Sequence, residues 1–148
     1  MLEEVVSAAD VSENEIRTAV DGCGVITYGL PLERMAYAFS RFAELDGGVR
    51  VGAAMRAHPT LIRGPGSPDT VLMETLPGWI AKGGAEGLIC AGGPDGTGIA
   101  IKVDDGSARA VGPALAVFAA RLGQPLKALE VDAIVNSRGE IVGEIRAE

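Results

Sequence analysis

Residues 79–106 read WIAKGGAEGLICAGGPDGTGIAIKVDDG. Two apolar runs, 79–93 and 96–106, flank Gly93-Pro94-Asp95-Gly96, which places Pro and Gly where a tight turn uses them. In the second run Ile99, Ile101 and Val103 alternate with the charged Lys102 and Asp104. A period of two sends successive side chains to opposite faces of a strand. The stretch therefore predicts an antiparallel hairpin with its isoleucines turned inward, and Lys82 at the start of its first strand.

Outward from this hairpin the period becomes helical. On the C-terminal side Ala108, Val111, Leu115, Phe118, Ala119 and Leu122 form an apolar stripe. Asp105 or Ser107 caps its start and Gly123 its end, and Pro113 should bend or delay the first turns. Residues 129–148 then give two short runs around Asn136-Ser137-Arg138-Gly139, a second hairpin. On the N-terminal side Ser67 stands as an N-cap, Pro68 as the first helical residue and Asp69 in the first turn, and that helix runs to Leu76. Residues 63–70, with two glycines and two prolines, read as a loop. A helix over about 50–57 shows Val51, Ala54 and Met55 and stops before Pro59. The clearest helix carries Leu32, Met35, Ala36, Phe39, Phe42 and Ala43 on one face and ends at Asp46-Gly47-Gly48. Ahead of it lie a short helix over 2–9, a Ser12–Glu15 capping box, and a brief strand and turn over 17–24. The order predicts an α+β fold in one domain, 1–148: an antiparallel sheet of hairpins packed by helices.

Composition narrows the class. The 148 residues are 47% hydrophobic but only 4% aromatic, so small aliphatic side chains must do the packing. A net charge of −7 argues against a nucleic-acid or acidic-membrane partner. No apolar run reaches the length of a bilayer span, and MLEEVVSAAD at 1–10 lacks the basic start of a signal peptide. Two cysteines, Cys23 and Cys90, make no disulfide framework, and a reduced, cytoplasmic setting is the expectation.

Few residues offer chemistry. Lys82 precedes two glycines that would let a ligand approach the backbone; it reads as a base or orienting cation, or as an ordinary edge-strand lysine. Asp21 and Cys23, each followed by glycine, could ligate a metal together. They also read as a turn-forming carboxylate and a small buried thiol. With a single histidine, His58, and no Cys-x-x-Cys, the chain shows no complete zinc set. His58 reads as a helix-end residue, Cys90 as buried and inert, and Gly64-Pro65-Gly66-Ser67 as a plain loop lacking the lysine of a phosphate loop. No Gly-x-Ser-x-Gly elbow occurs.

Five ordered motifs carry a resemblance: VDGCGVITYGLPLERMAYAFSRFA, AMRAHP, DTVLMETLPG, KGGAEG and GIAIKVDDGSARA. Across about residues 16–122 the chain resembles the C-terminal half of the bacterial L-asparaginase II family. That resemblance implies a fold like serine β-lactamases and penicillin-binding proteins. It implies hydrolysis of asparagine to aspartate and ammonia by a serine working with lysines. Asp21 and Lys82 would then be active-site residues, and Cys23 a zinc ligand beside a second cysteine and a lysine. The family's Ser-x-x-Lys pair is absent here, and so are the partners of Cys23. Ile26 replaces a usual proline, and Ser67 stands in place of a usual arginine. The expectation is an amidohydrolase portion inactive alone and completed by a companion N-terminal half. The alternatives are a non-catalytic ligand-binding or oligomerising domain, in the simplest case a twofold homodimer, and a zinc protein joining Cys23 from two subunits.

Overall fold

In the computed structural model, which describes residues 1–148, the chain begins with α1 (Leu2–Ala9) and the hairpin β1 (Arg17–Val20) and β2 (Ile26–Gly29). Four helices follow: α2 (Leu32–Ser40), α3 (Gly48–Ala57), α4 (Thr60–Arg63) and α5 (Pro68–Thr75). Then come β3 (Ile80–Gly83), β4 (Leu88–Gly92), β5 (Gly98–Lys102), α6 (Val111–Arg121), β6 (Val131–Val135) and β7 (Ile141–Arg146). The fold is α+β, but the single sheet expected from sequence is three: β1-β2, β3-β4-β5 and β6-β7, all antiparallel. Each outer hairpin pairs only with itself, because a period-two pattern specifies a strand and its turn but not which edge it meets.

Residues 79–93 hold two strands rather than one. The turn between them is Gly84-Ala85-Glu86-Gly87, with Glu86 at φ 58° and Gly87 at φ 67°, and Gly84 N–H donates to Leu88 O at 2.8 Å. The expected second turn, at Gly93–Gly96, closes with Gly93 N–H on Thr97 O at 2.8 Å.

One face of the central sheet is the core. Ala81, Ile89, Ala91, Ile99 and Ile101 pack there against Leu72, Met73 and Leu76 and against Val111, Leu115, Ala116 and Ala119. The alternation read at Ile99 and Ile101 is thus observed. The opposite face carries Lys82, Cys90, Gly92, Gly98 and Ala100, and α2 lies across it. A Cβ on Gly92 or Gly98 would stand 2.1 Å from the carbonyl oxygen of Phe39 or Ala36, so the missing side chains let the helix backbone rest on the strands.

Helix ends account for the other differences. The helix read through Ala43 stops at Ser40, and Phe42–Glu44 form a tighter 3₁₀ turn. Ala108–Ala110 are also 3₁₀, and the regular helix begins at Val111, which leaves Pro113 in a first turn where its missing N–H goes unnoticed. The Ser12–Glu15 box forms, with Ser12 N–H on Glu15 Oε2 at 2.9 Å. Ser67 occupies its N-cap position, but its hydroxyl lies 2.9 Å from both Gly64 O and Thr70 Oγ1, bonding within that cluster, and caps no amide. No helix is long and apolar enough to cross a membrane.

Candidate functional site

Asp21 sits where β1 runs into its turn. Its Oδ1 accepts from Cys23 N–H at 2.9 Å and from Val25 N–H at 3.0 Å. The backbone closes the same loop, with Asp21 N–H on Val25 O at 2.9 Å and Gly24 N–H on Asp21 O at 3.0 Å. The carboxylate is thereby the device that builds the turn, as short polar side chains do by bonding amides two to four residues on. Gly24, at φ 77°, supplies the left-handed residue the turn needs. Cys23 is held at the tip with its thiol exposed, so its reading as a buried small hydrophobe is corrected. It belongs to a loop stabilised by Asp21 and not to the core.

Lys82 lies on the rigid part of the molecule. Its backbone is in β3 opposite Cys90, and its side chain is exposed on the sheet face that α2 shares. The ammonium donates to the carbonyl of Gly83. Lys82 lines none of the three clefts around the sheet. The largest of these by volume, about 500 Å³, opens between α2 and α6 and is walled by Leu32, Ala36, Phe118 and Leu122. Cys90 is buried, and desolvation pushes its thiol up to about 11, which keeps it protonated and inert as expected.

A zinc set does not assemble from these residues. Cys23 offers one thiol, Asp21 Oδ1 is committed to two amides, and no three His, Cys, Asp or Glu side chains come together. Four-coordinate zinc takes three or four protein ligands, so the donors of this chain by themselves do not fit the ion.

One residue of the sheet's surroundings carried no chemical signal in the sequence. Asp69, read only as a favourable charge in the first turn of a helix, is wholly buried. Its Oδ2 accepts from Gly83 N–H at 2.9 Å, directly beside Lys82. The signal available was the Pro-Asp-Thr start of α5, which resembles a helix cap and conceals the longer reach of the carboxylate.

A family model described as L-asparaginase II matches residues 1–147. The chain belongs to the L-asparaginase II family. The match is wider than the 16–122 span suggested by motifs, and it takes in α1 and the β6–β7 hairpin as family structure. A comparison with curated proteins gave no match. Within the span matched by the L-asparaginase II family, Lys82 lies on a fixed strand and Asp21 and Cys23 lie at a hairpin tip.

Proposed function

We propose that this chain is the C-terminal portion of an asparaginase-type amidohydrolase, with a fold related to half of a serine β-lactamase and a cytoplasmic setting. The observation that carries the reading is the L-asparaginase II match over essentially the whole chain. The sequence holds no Ser-x-x-Lys, so the nucleophile must come from a companion half. In the completed enzyme that serine oxygen attacks the side-chain amide carbon of asparagine. Ammonia leaves with a transferred proton, and water then cleaves the ester to release aspartate. Lys82 serves as the cation that orients the substrate or the developing oxyanion, from a strand whose backbone is fixed on its β4 side. Asp21 keeps the 21–25 turn in shape, and Cys23 supplies one thiol to a zinc site whose remaining ligands lie outside this chain.

The test is ammonia release from L-asparagine, measured for the chain alone and after mixing with a polypeptide that carries the Ser-x-x-Lys half. The expected result is no release alone and release on mixing, abolished by Lys82→Ala. Turnover by the chain alone would show a nucleophile of its own and overturn the proposal.

A second reading is a non-catalytic, self-associating domain on the same scaffold. It is favoured by the apolar side chains left in solvent on the two outer hairpins: Val20 is 70% exposed and Ile141 73%. A monodisperse monomer by light scattering would exclude it.

A further inference from the structure

Asp69 is the one buried carboxylate of the molecule, with 0% of its surface exposed. Carboxylates are rarely buried whole, and a hydroxyl or amide could mark a helix start at lower desolvation cost. Its Oδ2 accepts from Gly83 N–H at 2.9 Å, and its Oδ1 has no partner. The geometry of β3 explains what that bond does. Gly84 N–H donates inward to Leu88 O, so the register turns the backbone of Lys82 toward β4 and that of Gly83 to the free edge of the sheet. Gly83 therefore has no strand to bond on that side. Its N–H is taken by Asp69 and its carbonyl by the ammonium of Lys82. A Cβ on Gly83 would lie 1.9 Å from Arg63 Nη1 and 3.3 Å from Asp69 Oδ2, so any larger residue would have to displace the Arg63 guanidinium.

We propose that Asp69 is a positioning residue for Lys82. The buried carboxylate fixes Gly83 at the free edge of the sheet, and the Gly83 carbonyl in turn holds the ammonium. The two bonds meet at Gly83 Cα, between successive amides, so anchoring the N–H fixes the direction in which the carbonyl points. This deepens the assignment of Lys82 as the site's cation and rests on that reading.

The molecule contains its own control. Lys102 Nζ also donates to the next carbonyl, Val103 O, at 2.6 Å. The Val103 N–H, however, goes to the Gly87 carbonyl at 2.9 Å and not to a carboxylate. Lys82, Lys102 and Lys127 are the only lysines, so each can be followed separately.

The experiment is competitive acylation of the full chain with an amine-reactive reagent at one pH, read lysine by lysine by mass spectrometry. It needs no turnover, so it stands apart from failure of the asparaginase reading. Lys82 should react more slowly than Lys102 in the native protein. Asp69→Ala should speed Lys82 about fivefold, the loss of one ordinary hydrogen bond, with Lys102 and Lys127 unchanged. Asp69→Asn, which keeps an acceptor oxygen, should restore the slow rate. An unchanged Lys82 in a folded alanine variant, or all three lysines rising together, would overturn the proposal. Should the alanine variant not fold, a native Lys82 that reacts as fast as Lys102 overturns it as well.

Discussion

The central sheet and the two outer hairpins are built from the same kind of sequence and end in opposite conditions. β3, β4 and β5 present Ala81, Ile89, Ala91, Ile99 and Ile101 to a core closed by α5 and α6. β1–β2 and β6–β7 also carry apolar strand residues such as Val20, Ile26, Ile134 and Ile141, yet most residues in them are exposed. A lone two-stranded hairpin is marginal in water, so each is tied by its turn, and β6–β7 also rests against α6. Asp21 ties one. Asn136 ties the other, its Oδ1 accepting from Arg138 N–H at 2.9 Å and Glu140 N–H at 3.0 Å. The candidate site is divided along the same line. Lys82 stands on the packed sheet, whereas Asp21 and Cys23 stand on a hairpin tip. Chemistry that needs all three requires something to hold the hairpin still.

Core truncation should separate the two regions most strongly. Leu72→Ala empties a wholly buried position and should cost about 3 kcal/mol in denaturant unfolding. Ile141→Ala, at a position 73% exposed, should stay within about 0.5 kcal/mol. Equal losses would mean that the β6–β7 hairpin is packed in solution.

Pressure on the glycines gives the next contrast. Gly92→Ala drives a methyl to 2.1 Å from the Phe39 carbonyl and must lift α2, for a cost of about 2 kcal/mol. Gly22→Ala meets nothing within 4 Å and should leave the melting temperature almost unchanged.

The two cysteines give a contrast in pH. Burial raises the folded Cys90 thiol from its ordinary 9.0 to about 11, so the unfolded chain loses that proton first. Stability should therefore fall as pH rises from about 9 to about 11, by on the order of 2 kcal/mol, and Cys90→Ala should flatten that slope. At neutral pH a thiol reagent should find Cys23 at once and Cys90 only on unfolding. Two fast thiols would mean that β4 opens readily.

A smaller loss than at Leu72, Gly92 or Cys90 is expected at Asp21. Asp21→Ala removes two exposed amide bonds and should cost about 1 kcal/mol at most, with faster exchange confined to the Cys23 and Val25 amides.

The sequence alone determined the elements that depend on near neighbours. The Ile99–Ile101 alternation, the Pro68 helix start, the Ser12–Glu15 box and the turns at Gly93–Gly96 and Asn136–Gly139 are set within a few residues, and all are present. The family was legible in the motifs around Asp21-Gly22-Cys23-Gly24 and Lys82-Gly83-Gly84, because side-chain identity at fixed spacing survives without a fold. What only the tertiary structure decided involves distance along the chain. The Gly84–Gly87 reversal split one apparent strand into two. The outer hairpins never joined the central sheet, since an edge finds its partner by packing and not by pattern. Asp69 reached Gly83, 14 residues on, and became the buried support of Lys82. No local rule reports that contact, because a carboxylate in the first turn of a helix satisfies its own neighbourhood either way.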